Sequence, residues 1–183
     1  RGFDMKRFTC ALLLAATPVL ANENIADQYP ASVLYQAPVE VIPNVWSAIG
    51  ATAPPTYENA GHNNNLSFIV TTEGVVVVNS GGSYELAEAL HTEIKAVTDQ
   101  PVKIVFNENG QGHAMLGNSY WITQGADIIA HVDAAVAFED RGPQSLAGAK
   151  RVARENADKT TLQGPTETFE DTYMVTLGGL EIQ

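Results

Sequence analysis

The chain has 183 residues, enough for one domain with a sizeable core, and its 45% hydrophobic and 17% charged content excludes a disordered or fibrous protein. A net charge of −11 repels nucleic acid and anionic lipid, so neither is expected as a partner. The single cysteine, Cys10, leaves no pair for a disulfide and no thiolate cluster for a metal.

Met5-Lys6-Arg7 is followed by an apolar run from Phe8 to Leu20 and a small residue, Ala21. This tripartite pattern predicts a secretory signal cut after Ala21 and a periplasmic or secreted mature protein. The run is too short to cross ~30 Å of hydrocarbon, so no membrane attachment is expected after cleavage. Arg1–Asp4 precede that signal and are grouped with it as residues 1–21. Cys10 would leave with the signal, and the balance would become more acidic, because the segment holds Arg1, Lys6 and Arg7 against Asp4.

Residues 22–43, punctuated by Pro30, Pro38 and Pro43, read as an N-terminal arm, and residues 44–183 as a partial domain. Val45–Ile49 reads as a short strand. A polar loop of turn residues, Thr52–Asn65, follows. Leu66–Val70 and Val75–Val78 are β-branched runs joined by Thr71-Thr72-Glu73-Gly74, a hairpin signal. Apolar side chains on both faces of the second run predict a buried central strand. Ser83 is a plausible N-cap for a helix carrying Leu86, Leu90, Ile94 and Val97 at helical spacing. Pro101 opens a strand, Val102–Phe106. The glycine-rich stretch Gly110–Gly117 leads into Asn118–Thr123, and Ile128–His131 reads as a further strand. Two helices follow, near Ala134–Glu139 and Gln144–Ala157. Met174–Leu177 and Leu180–Ile182 flank Gly178-Gly179 as a last hairpin, so the domain reads as cut short toward its C-terminus. Strands mixed with helices predict a layered α/β (α+β) fold.

The ordered segments NVWSAIG, LSFIVTTEGVVVVNSGG, QPVKIVFNENGQGHAMLGNSYW and GADIIAH resemble the metallo-β-lactamase superfamily in order and spacing. The resemblance implies the N-terminal half of an αββα sandwich with its active site at the edge between two sheets. It also implies a zinc-binding HxHxDH segment between Asn107 and Gly117-Asn118. Here that segment departs from the family: its ligand positions are Asn109, Gln111, His113 and Ala114, the preceding threonine is Glu108, and the aspartate that ends the upstream strand is Asn79. The family's remaining ligands would lie beyond Gln183.

Catalytic zinc normally takes three protein ligands from imidazole, thiolate or carboxylate. Neutral amides suit harder cations and bring no compensating charge, and alanine supplies nothing. His113, Gln111 and Asn109 are therefore the metal candidates, with zinc or another divalent ion expected at fewer than two per chain. If Asn109–His113 were extended, positions 109, 111 and 113 would share one side; the glycines between them also allow a sharp turn. Glu108 and His113 are candidates for an acid/base pair or for two metal ligands, against the alternatives of a solvated carboxylate and a histidine bonding its own loop. His62, Asn79 and Asn118 are candidate pocket contacts, against the alternative for His62 of a residue that belongs to a turn-rich polar loop. His131 corresponds to a structural histidine of the family, and His91 is expected on an exposed helix face. Two functions follow: a hydrolase acting on a small ester, amide or thioester through one metal or through Glu108 and His113, or a non-catalytic protein that binds a small molecule in the retained pocket.

Overall fold

Four consecutive valines, Val75–Val78, organise the molecule. Their β-branched side chains suit a pleated strand, and with apolar groups on both sides that strand must be covered on both faces. In the computed structural model, which describes residues 29–183, they form β4 at the centre of a seven-stranded sheet. The strands lie in chain order: β1 (Val39–Ile42), β2 (Val45–Ala48), β3 (Leu66–Val70), β4, β5 (Val102–Asn107), β6 (Asp127–His131) and β7 (Glu167–Phe169). Neighbours from β1 to β4 are antiparallel, and those from β4 to β7 are parallel. Parallel neighbours need crossovers. These are supplied by α1 (Tyr84–Val97), by α2 (Gly112–Met115) with α3 (Asn118–Thr123), and by α4 (Val132–Ala153).

The sheet separates two apolar layers. Val75 and Val77 of β4, Val105 of β5 and Ile128 of β6 pack with Leu86, Leu90 and Ile94 of α1 and Trp121 of α3. Between them Val76, Ile104 and Ile129 face the other way, against Phe169, Tyr173 and a hairpin of β8 (Val175–Leu177) and β9 (Leu180–Ile182). Ser83 caps α1 as expected, its hydroxyl accepting the Leu86 N–H at 3.0 Å. Such a cap contributes about 1 kcal/mol. The β3–β4 hairpin, the central position of β4 and the layered α/β arrangement all match the sequence reading.

Other elements differ from it. β1 lies inside the stretch read as an irregular arm; all four of its residues are exposed at the sheet edge, so no burial pattern marked it. The two helices expected around Gly142-Pro143 are one, α4, with Pro143 inside it, followed by a 3-10 turn at Arg154–Ala157. A proline removes one helical N–H and crowds the carbonyl four residues earlier, which made a break the natural reading. β7 is short and polar and gave no strand signal. His91 is buried rather than exposed, its Nδ1 2.7 Å from the Tyr120 hydroxyl and its ring against Trp121. Burial, with Lys95 adding to it, pushes its pKa down to about 4. The signal-like segment lies outside the described residues. Among those residues no helix is long and apolar enough to cross a membrane.

Candidate active site

β5 ends at Asn107, and the chain then turns through Glu108–Gln111 into α2. Two buried amides fix that turn. Asn107 Nδ2 donates to Asn118 Oδ1 at 3.1 Å, and Asn118 Nδ2 returns a bond to Asn107 Oδ1 at 3.0 Å. The Ala114 carbonyl gathers three donors: Asn107 Nδ2 at 2.7 Å, Ser80 Oγ at 2.8 Å and the Ser80 N–H at 2.9 Å. Gly117 is required where it stands, because a Cβ there would lie 2.1 Å from the Ser80 carbonyl oxygen.

Onto this frame the loop is tied by short polar bonds. Asn79 takes φ 67°, a left-handed conformation that asparagine tolerates, and its Oδ1 accepts the Glu108 N–H at 3.2 Å. Asn109 Oδ1 accepts the Gln111 N–H at 2.8 Å, an Asx turn. Asn109 Nδ2 sits 3.3 Å from Glu108 Oε1 and 3.4 Å from His113 Nε2. Glu108 Oε1 and His113 Nε2 are 3.9 Å apart. The segment 109–113 is therefore turned, not extended. The fold brings Glu108, Asn109 and His113 together and leaves Gln111 exposed as the first residue before α2. Ala114, at a ligand position of the resemblance, is core: its side chain packs with Met115, Leu116, Ala130 and Phe138.

The other expected contacts are structural in their geometry. Asn79 and Asn118 are buried in the frame just described. His62 is fully buried, its Nδ1 accepting the Tyr35 N–H at 2.9 Å, while its Nε2 makes no well-formed hydrogen bond among the described residues. Desolvation pushes its pKa down to about 4, partly opposed by the carbonyls of Ala48 and Asn64. The loop's actual link to the site is Asn64, whose Nδ2 donates to the His113 carbonyl at 3.3 Å. His131 caps α4, accepting the Asp133 N–H, and its Nε2 meets the Glu170 carbonyl.

His113 lines a cavity of about 270 Å³ bounded by the Asn-rich loop, Gly82 and the C-terminal half of α4. Glu108 does not line it and instead borders two neighbouring cavities. Burial lowers the pKa of His113, and the nearby Glu108 carboxylate partly opposes that shift. The neutral, proton-accepting imidazole is thus the favoured form. Asn63, Ser145 and Arg151 also line this cavity and were not singled out in the sequence. The signal that was available is the spacing of Ser145, Gly148, Ala149 and Val152, one small-residue face of α4.

The zinc centre implied by the resemblance does not fit the donors present. Among the described residues no three His, Cys, Asp or Glu side chains converge. The Asn109 oxygen is occupied by a backbone N–H, and it is the amide nitrogen that faces Glu108 and His113. A cation would meet another donor there rather than a lone pair.

Helices on one face of a mixed sheet, a β hairpin on the other and a polar loop at the end of β5 place the chain in the metallo-β-lactamase fold class. In particular, it is similar to the solved structure of a metallo-beta-lactamase from Pontibacter korlensis, with a TM-score of 0.57 and 19% identity, covering 79% of this chain and 57% of that one. At that identity the likeness is one of fold, and this chain spans less than two thirds of that protein's length. No family model matches the chain, and no curated protein matches it.

Proposed function

We propose that the chain carries a hydrolytic site that works without the family's two-zinc centre and acts on a small ester, amide or thioester. One observation carries this reading: a partly buried histidine, His113, lines a cavity, and a carboxylate, Glu108, lies 3.9 Å from its Nε2. A neutral imidazole is a general base, and a nearby carboxylate stabilises the imidazolium that forms when it takes a proton. His113 takes a proton from water, the water oxygen attacks the acyl carbon, and the leaving alkoxide, thiolate or amine recovers the proton as the tetrahedral adduct collapses. Asn109 Nδ2 lies between the two side chains, 3.3 Å from Glu108 Oε1 and 3.4 Å from His113 Nε2.

The test is hydrolysis of p-nitrophenyl acetate by the purified full-length protein in EDTA. Turnover that survives chelation and drops at least 100-fold in His113→Gln, with a lesser loss in Glu108→Gln, supports the reading; general-base contributions of ~10²–10⁴ set that scale. Turnover lost on chelation, or unchanged in His113→Gln, overturns it.

A second reading, a non-catalytic protein that binds a small molecule, is favoured by the fact that Glu108 does not line the cavity. Wild-type protein inert toward esters but binding a small ligand there would establish it. Both readings suit a mature protein exported to the periplasm or beyond after cleavage at Ala21. Sequencing the N-terminus of the mature protein tests that, and a start at Met5 would refute it.

A further inference from the structure

The cavity beside His113 has a chemical bias of its own. Among its lining residues the charged or titratable ones are His113 and Arg151, and no carboxylate is present, in a chain with 21 acidic residues against 10 basic ones. Arg151, on the last turn of α4, makes no hydrogen bond or ion pair among the described residues. The side chains of Asn63 and Ser145, on the same wall, are likewise without partners there. Three groups that can donate hydrogen bonds therefore meet one space and remain unused. The rest of the wall is apolar or small, with Pro55, Leu116 and Val152 prominent.

Unused donors facing a shared space favour an acceptor-rich guest, and a guanidinium is shaped to grip a carboxylate through two parallel N–H bonds. The apolar wall suits a guest with a hydrophobic body. At about 270 Å³ the space lies just under the ~300–1,000 Å³ typical of sites for drug-sized ligands, so the guest is small. We infer that this cavity is a binding site for a small carboxylate with an apolar body, its anion held by Arg151 with help from Asn63 and Ser145. In the hydrolytic reading, on which this extension rests for the reacting group alone, the same grip presents the acyl bond to His113.

Benzoate and its neutral counterpart benzamide are suitable probes, titrated calorimetrically into the full-length protein. Benzoate should bind at least tenfold more tightly than benzamide. Arg151→Gln should remove that preference, weakening benzoate at least tenfold while leaving benzamide within twofold, and Ser145→Ala should weaken benzoate severalfold. Arg151 is exposed, so its replacement leaves the fold intact, which circular dichroism verifies. Equal affinity for the two probes, no measurable benzoate binding, or indifference to Arg151→Gln overturns the inference. The outcomes separate from those of the reaction. Arg151-dependent benzoate binding in a protein inert toward esters would keep the anion site and sink the hydrolysis. His113-dependent hydrolysis with benzoate indifferent to Arg151→Gln would do the reverse.

Discussion

Asn107 and Asn118 exchange paired amide hydrogen bonds, 3.1 Å in one direction and 3.0 Å in the other, out of contact with solvent. The pair ties the end of β5 to the start of α3, and Asn118 also donates to the Gln163 carbonyl at 3.1 Å. The loop carrying Glu108, Asn109 and His113 spans the gap between these two anchors. Its position thus depends on residues that never reach the cavity.

Asn118→Ala strips Asn107 Oδ1 and the Gln163 carbonyl of a donor inside the protein. Leaving the buried Asn107 oxygen unpaired costs about 1–3 kcal/mol, and the exposed Gln163 carbonyl can turn to water. Urea unfolding should show a lower midpoint with an unchanged slope. An unaltered midpoint would mean that the amide pair is not a structural anchor.

Two glycines of the site should respond in opposite directions to alanine. Gly117→Ala drives a Cβ to 2.1 Å from the Ser80 carbonyl, where backbone must move, and a loss of about 1–3 kcal/mol or more is expected. Gly148 lies within α4 with nothing within 4 Å of an added Cβ, so Gly148→Ala should stabilise the helix by about 0.5–1 kcal/mol. Thermal melts of both variants check the pair, and equal shifts of one sign would contradict the packing described.

Much of this frame was legible in the sequence. The β3–β4 hairpin announced itself through two β-branched runs around a turn, and α1 through Ser83 and the spacing of Leu86, Leu90 and Ile94. Edge strand β1 was hidden because it is only four residues long between Pro38 and Pro43, and α4 was split because Pro143 is a local break signal that tertiary packing overrode. At the site, the extended arrangement that would have aligned Asn109, Gln111 and His113 gave way to the sharp turn that the intervening glycines allowed, and Gln111 points away from the other two. Ser145 and Arg151 of α4 share one cavity with Asn63, some eighty residues earlier in the chain, and no local pattern records that long-range meeting.

His62 makes stability depend on pH. Its folded pKa of about 4 lies below the ordinary value of 6.5, so between these values the unfolded chain binds a proton that the folded chain excludes. Stability is therefore complete above about pH 6.5 and declines as pH falls toward 4, by up to about 3 kcal/mol from this residue. His91 acts in the same direction. Chemical unfolding of wild type and His62→Gln between pH 7.5 and about 4 should show a shallower decline in the variant. Parallel curves would exclude His62 as the source.

The central claim is that the loop after β5 is a hydrogen-bonded turn whose donors do not fit the two-zinc centre that the resemblance implies. Losing single outer-shell partners already lowers metal affinity about 10–100-fold, and here Asn109, Gln111 and Ala114 stand at ligand positions themselves. The most direct measurement is the zinc content of the purified full-length protein by elemental analysis after dialysis against zinc-containing buffer. Fewer than two zinc ions per chain is the expected result, and two stoichiometric ions would contradict it.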